Sequence, residues 1–305
     1  MRLKELTLKD RKLFNRYLNL TRHELSVYSF ANLYIWKNLY QLKWLKIKGS
    51  LCVFFLDKTG CFMNLPPLAK KLDPRSVAGA FKIMDSFNKN PAVSRIENIE
   101  AEDINFYNEL GLVCPEKSVD YICSRDQLAG LSGDKFKPKR ASYNYFLKNY
   151  CAEYLSYSPG DKTACLDLYS FWQQTRALKC QDKAYLGMME DSFLCLKNFL
   201  QDYEKLGCIG RVVKIDNQIK GLSFGYRLNR DTFCILYEIT DLTVKGLAQF
   251  IFRRFCAELK DFRYINIMDD SGLENLKRVK LSYAPVKLTP AYIAQRKDAR
   301  KYSGS

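Results

Sequence analysis

A single histidine, His23, is all that this chain of 305 residues contains. That scarcity excludes multi-histidine metal centres, and any histidine triad would have to use His23 itself. His23 stands in Thr21-Arg22-His23-Glu24-Leu25, which reads as a solvated helix start. A structural or exposed role is expected for it. Paired cysteine motifs are missing too. The eleven cysteines form no C-x-x-C pair, and their number is odd. Most lie among apolar residues, as in Leu51-Cys52-Val53-Phe54 and Phe233-Cys234-Ile235-Leu236. They read as reduced, buried side chains acting as small hydrophobes, with no metal site. No uncharged apolar run approaches the ~18 residues of a membrane span. The opening Met1-Arg2-Leu3-Lys4-Glu5-Leu6 alternates charge with leucine and has no apolar signal core. A cytoplasmic location is expected, with any membrane contact peripheral. Acidic residues are also in short supply, leaving a net charge of +16. Such an excess favours anionic partners: RNA, an anionic lipid or membrane surface, or a phosphorylated small molecule.

What is present is a core-forming composition, 47% hydrophobic with twenty tyrosines and nineteen phenylalanines. Residues 9–20 show helical spacing, and the aromatic run at 29–40 reads as a second helix. Short strands at 42–47, 51–56 and 61–64 are separated by the turns Gly49-Ser50 and Asp57-Lys58-Thr59-Gly60. Asp73-Pro74 supplies an N-cap and a first-position proline for a helix ended by Asn90-Pro91. A strand at 95–99, a helix at 102–110 and a strand at 119–124 follow. The second half repeats that order: strands at 211–215, 220–228 and 233–239, a helix at 245–259, a strand at 264–268, a helix at 273–281 and a strand at 285–288. Helices at 136–150, 161–178 and 184–205 lie between the halves. The tail, 295–305, is basic and reads as loose. The expected organisation is an N-terminal domain over 1–127 and a C-terminal domain over 128–305, two copies of one α/β unit, the second carrying the active cleft.

Three stretches carry chemistry. Thr243-Val244-Lys245-Gly246-Leu247-Ala248 precedes a helix and matches part of the pyrophosphate-binding motif of GNAT (acyl-CoA N-acyltransferase) enzymes. Gly246 and Ala248 fit, whereas Thr243 lacks the long polar side chain, which favours a donor other than acetyl-CoA. The same small residues serve equally for close helix packing. In 135–148, Lys135, Lys137, Lys139, Arg140 and Lys148 interleave with Phe136, Tyr143, Tyr145 and Phe146. Such a segment can hold phosphate and stack bases, or it can be a basic helix whose aromatics face the core. Finally, Glu238, Asp241, Asp269 and Asp270 fall at the ends of two neighbouring strands, where carboxylates would converge to deprotonate or orient an amine or hydroxyl. Asp269 and Asp270 suit helix capping as well.

The runs Phe30-Ala31-Asn32-Leu33-Tyr34-Ile35-Trp36, Asp120-Tyr121-Ile122, Leu128 through Arg140, and Asp270-x-Gly272 with Leu276-Lys277-Arg278-x-Lys280-Leu281-Ser282-Tyr283-x-Pro285 resemble the DUF2156 family. That family is similar to the C-terminal catalytic domain of phosphatidylglycerol lysyltransferases. The resemblance implies an α/β (α+β) fold of two tandem GNAT-like units, each a mixed, mostly antiparallel sheet flanked by helices. It implies transfer of an aminoacyl group, with aminoacyl-tRNA as donor and a lipid, peptide or other amine or hydroxyl as acceptor. Acetyl-CoA ranks below that donor, and no tightly bound cofactor is expected. Glu238, Asp270 and Asp241 are the catalytic candidates. Lys139, Arg140, Asn144, Thr243, Gly246, Ala248, Lys277, Lys280 and Tyr283 are the substrate- or phosphate-binding candidates. The chain departs from the family pattern at Leu236-Tyr237-Glu238-Ile239-Thr240, where only the glutamate is kept. It departs again at Asn266-Ile267-Met268-Asp269-Asp270, where Ile267 and Met268 replace charged residues. A non-catalytic binding module for tRNA or anionic lipid, and a CoA-dependent N-acetyltransferase, are the alternative readings.

Overall fold

The computed structural model describes residues 2–178, 180 and 182–297. The chain divides into two compact units, one of residues up to Asp120 plus those from Thr289 on, the other Tyr121–Leu288.

The first unit opens with strand β1 (Lys4–Glu5), helix α1 (Arg11–Leu18) and helix α2 (Phe30–Tyr34), the last continuing as a 3-10 turn over Ile35–Asn38. Strands β2 (Gln41–Ile47), β3 (Ser50–Asp57) and β4 (Gly60–Phe62) follow, in an antiparallel sheet ordered β1-β2-β3-β4. Asp57 makes the β3–β4 turn by accepting from the Thr59 backbone, at 2.8 Å, and the Thr59 hydroxyl, at 2.6 Å. Helix α3 (Pro74–Phe87) starts where Asp73 accepts from Arg75 N at 2.8 Å. Its apolar face, Val77, Phe81 and Met84, packs on Cys52, Phe54 and Cys61 of the sheet. Strand β5 (Ile96–Glu100) and helix α4 (Ile104–Glu109) lead to strand β6 (Glu116–Ser124).

The boundary expected at 127/128 falls at 120/121, within β6, and the chain's last strand, Lys287–Ala294, enters the first unit at Thr289. The cause is strand pairing. Ala291 pairs with Glu100 of β5, while Ile122–Ser124 of β6 pair into the second unit. The end of β6 thus pairs into the second unit, and the chain's last strand pairs with β5 of the first. Gln295, expected in a loose tail, forms a bridge with Val113; residues 298–305 of that tail lie outside the described residues.

In the second unit, helices α5 (Arg125–Gly130) and α6 (Lys137–Asn149), strand β7 (Ala152–Ser156), and helices α7 (Lys162–Ala177), α8 (Lys183–Gln201) and α9 (Tyr203–Leu206) come first. Strands β8 (Ile209–Ile215), β9 (Gln218–Arg227) and β10 (Thr232–Thr240), helix α10 (Leu247–Glu258), strand β11 (Tyr264–Asn266) and helix α11 (Glu274–Leu281) complete it; the last strand is β12. The strand order is β6-β11-β10-β9-β8-β7. β7 through β10 are antiparallel, and β10 and β11 run parallel. Phe233, Phe252, Phe255, Cys256 and Ile265 form the core on one face of this sheet.

Two features of β10 set up the site. Its parallel pairing with β11 covers only Thr232–Cys234 against Tyr264–Asn266, and β11 then ends, so the later residues of β10 continue past the end of that partner. A bulge between Ile235 and Tyr237 then shifts the register against β9. Phe233 and Ile235 face the α10 core. Strict alternation would send Tyr237 there as well. The extra residue reverses the parity: Tyr237 instead packs on Phe199 of α8, with ring centres 5.8 Å apart, and Glu238 turns towards α10.

Candidate functional site

Glu238 stands among residues of three helices, α6, α10 and α11, and of the turn after α11. Its charge is felt by Cys256 of α10, by Tyr283 just after α11 and by Lys139 of α6, and Lys280 of α11 acts on it in return. Its Oε2 is shielded from solvent and makes no hydrogen bond among the described residues. Burial pushes its carboxyl up to about 8, although Lys139 and Lys280 pull it down. Burial also lowers the Lys139 ammonium to about 8, against the pull of Glu238. Burial thus moves a carboxyl and an ammonium towards neutrality, each opposed by the other's charge, with no direct ion pair between them among the described residues.

Lys139 is fixed by two contacts. Its Nζ donates to Ser282 Oγ at 2.8 Å and lies 3.5 Å from the centre of the Tyr283 ring. Tyr283 is buried and packs on Phe252, with ring centres 4.7 Å apart. Lys280 is buried; its ammonium donates to the Ile267 carbonyl and lies 6.0 Å from the Tyr121 ring. Tyr121, absent from the site expected from sequence, donates to Asp270 Oδ2 at 2.5 Å. Burial raises its phenol first, and the bond to Asp270 adds to this. The signal that could have found it was the Asp120-Tyr121-Ile122 run, which the family resemblance already singled out.

The loop between β11 and α11 is braced by its own side chains. Asn266 Oδ1 accepts from Met268 N at 2.7 Å, Asp269 Oδ1 from Ser271 N at 3.1 Å and Asp270 Oδ1 from Gly272 N at 3.0 Å. These bonds hold a sharp path, with Met268, Ser271 and Gly272 at positive φ. The residue that caps α11 is Leu273, so Asp269 and Asp270 brace the loop rather than cap the helix. Ile267 packs on the apolar core.

Asp241 does not join Glu238. Its Oδ1 accepts from Thr243 N at 2.9 Å and Thr243 Oγ1 at 2.6 Å, and its Oδ2 accepts from Lys220 at 3.1 Å. These partners hold its carboxyl below its ordinary range despite burial.

The same bonds decide how the loop before α10 compares with a CoA-pyrophosphate cradle. The Thr243 N–H goes to Asp241, and the Val244 N–H to the Asp241 carbonyl at 3.1 Å. Gly246, at φ +85°, abuts α6 so closely that an added Cβ would collide with the Ser142 carbonyl oxygen. Gly246 serves close packing, and Asp241 takes two of the loop's N–H donors, those of Thr243 and Val244. Part of the donor set that a CoA pyrophosphate would use is thus already engaged.

The basic segment also divides. Tyr143 and Phe146 face the core against Phe250, with ring centres 6.0 and 4.5 Å away. Arg140 donates to the Leu131 and Gly133 carbonyls and holds the loop before α6. Asn144 and Lys277 are exposed. Of the cations proposed for phosphate, Lys139 and Lys280 are the two that meet at Glu238. Ala248 lies in the first turn of α10.

No curated protein matches the sequence. Among solved structures, a conserved protein of unknown function from Bacteroides thetaiotaomicron is 25% identical, with a TM-score of 0.86 over 97% of this chain and 100% of its own. L-PGS from Bacillus licheniformis is 14% identical, with a TM-score of 0.66 over 95% of this chain and 92% of its own. A tandem GNAT protein from the clavulanic acid biosynthesis pathway is 8% identical, with a TM-score of 0.51 over 96% of this chain and 98% of its own. The last two likenesses concern the fold alone, and the fold is that of tandem GNAT units. The family model described as phosphatidylglycerol lysyltransferase, C-terminal, matches residues 18–295. The chain belongs to that family, whose fold and membership support an acyltransferase-type activity.

Proposed function

We propose that the chain transfers an aminoacyl group from aminoacyl-tRNA to a hydroxyl or amine acceptor, with a lipid at a membrane surface as the first acceptor to test. The observation that carries this reading is the Glu238–Lys139 couple beyond the point where β10 and β11 part. The acceptor O–H or N–H attacks the ester carbonyl carbon, and the Glu238 carboxylate takes its proton. The C–O bond to the ribose then breaks, and the Lys139 ammonium protonates the leaving oxygen. Glu238 then releases its proton to solvent and Lys139 takes one up from solvent, which resets the site. Lys280 balances the buried charge, and Tyr121–Asp270 fixes the loop that carries the Lys280 acceptor carbonyl. Acetyl-CoA ranks lower as donor because Asp241 takes two N–H groups of the loop before α10 and Gly246 packs tightly on Ser142. The basic composition suits tRNA and anionic lipid as partners. No helix among the described residues is long and apolar enough to cross a membrane, so contact with lipid would be peripheral.

The test is transfer of radiolabelled amino acid from each of the twenty charged tRNAs to extracted lipid and to peptide, comparing the wild type with Glu238→Gln. Transfer that falls by about 100-fold or more in the variant supports the reading. Failure with every charged tRNA, while tRNA or lipid still binds, turns it into that of a binding module.

A further inference from the structure

The first unit contains a cavity of about 380 Å³ lined by Pro66, Pro67, Leu72 and Phe106, by Lys70 and Lys71, and by Glu102 and Asp103. Thr21, His23 and Glu100 also line it, and they form a hydrogen-bonded relay. His23 Nδ1 lies 2.8 Å from Glu100 Oε2. A carboxylate only accepts, so Nδ1 carries the hydrogen, and in the neutral imidazole Nε2 then keeps its lone pair. Thr21 Oγ1 lies 3.0 Å from that Nε2, in position to donate its proton. The imidazole is held in place. Tyr28 stacks on it, with ring centres 3.9 Å apart at 12°, and the Tyr28 hydroxyl is anchored to the Asn98 carbonyl at 2.8 Å. Glu100 is held in turn, its Oε1 accepting from Glu24 N at 2.8 Å. Hydroxyl, imidazole and carboxylate thus stand in the order that activates a nucleophile, with the base oriented by a third group.

We propose that Thr21, His23 and Glu100 form a second reaction site, one that cleaves small esters whose acyl part carries an ammonium group. Thr21 Oγ attacks the ester carbonyl, and its proton passes to His23 Nε2 and on to the leaving alcohol. Water then attacks the Thr21 ester, with His23 again as the base, releasing the acid and restoring the hydroxyl. Glu102 and Asp103 receive the ammonium. Burial, then Glu102 and Glu100, hold the Asp103 carboxyl up to about 6, a position that a bound cation would relieve. Lys70 and Lys71 bring positive charge to the developing oxyanion. The relay uses the one histidine, which the sequence had suggested was structural or exposed; its side chain is 12% exposed.

The test uses the full chain without tRNA, so the transfer reaction proposed above plays no part. The p-nitrophenyl esters of glycine and of acetic acid are compared by p-nitrophenol release, with acyl-enzyme sought by mass spectrometry after acid quench. The expected result is release above the buffer rate, a kcat/KM about tenfold higher for the glycyl ester, and label on Thr21. Thr21→Val and His23→Gln each lose at least about tenfold, and Thr21→Ser retains turnover. Thr21 is exposed, so Thr21→Val folds and decides the matter even if His23→Gln does not. Wild-type rates in Thr21→Val, or no release above buffer, overturn the proposal.

Discussion

Lys139 and Tyr283 form a cation–π pair, the ammonium 3.5 Å from the ring centre. The ring favours the charged form at a place where burial opposes it. Lys139 is thereby kept as a proton donor at a fixed point beside Glu238. Replacement by methionine keeps the stem and removes the proton. Transfer in Lys139→Met is expected to fall by about 100-fold. The wild-type rate should pass through a maximum near pH 8, since Glu238 must lose its proton and Lys139 keep its own. In Lys139→Met the alkaline limb disappears. A pH–rate profile checks this, and an unchanged alkaline limb removes Lys139 from the mechanism.

The same couple makes stability depend on pH. The folded Glu238 carboxyl sits at about 8, above its usual 4.5. It therefore holds its proton in the folded chain while the unfolded chain has released it, and stability falls as pH rises across that window. The folded Lys139 sits at about 8, below its usual 10.5. Above pH 8 the unfolded chain holds the extra proton, so stability recovers. Urea unfolding at pH 5.5, 8 and 10 is expected to show the lowest midpoint contribution from this pair at pH 8. Glu238→Gln should flatten the fall between 5.5 and 8.

Tyr121→Phe removes the donor to Asp270. Asp270 is only half-buried, so water replaces the lost donor and the cost is about 1 kcal/mol. The loop of Met268 to Gly272 loses a brace, and transfer should fall more than stability does. Denaturation midpoints and initial rates separate the two effects.

Gly246→Ala meets both a positive φ and the Ser142 carbonyl. A destabilisation on the order of 2–3 kcal/mol is expected. Acetyl-CoA should not raise the melting temperature of the wild type. A clear rise would restore the loop before α10 as a nucleotide cradle.

Much of the local structure was legible because it is written in local chemistry. Asp73-Pro74 announced α3, and Gly49-Ser50 announced the β2–β3 hairpin. β7 was missed because this edge strand, mostly exposed or half-exposed, shows no apolar alternation. α5 was missed because Arg125–Gly130 holds one large apolar residue, Leu128, too few to show a helical period. The candidate site draws on a glutamate and two lysines that the sequence had placed in separate roles. What it could not disclose was the bulge at Leu236, since register is a property of two strands. Nor could it disclose the bond from His23 to Glu100, 77 residues away.

The pairing of β12 with β5 also fixes a sequence of events. A nascent chain presents all of Tyr121–Leu288 before it presents Ala291, the partner of Glu100. β5 of the first unit therefore waits for the last strand of the chain. A chain halted just after Leu288 would lack the strand that pairs with β5.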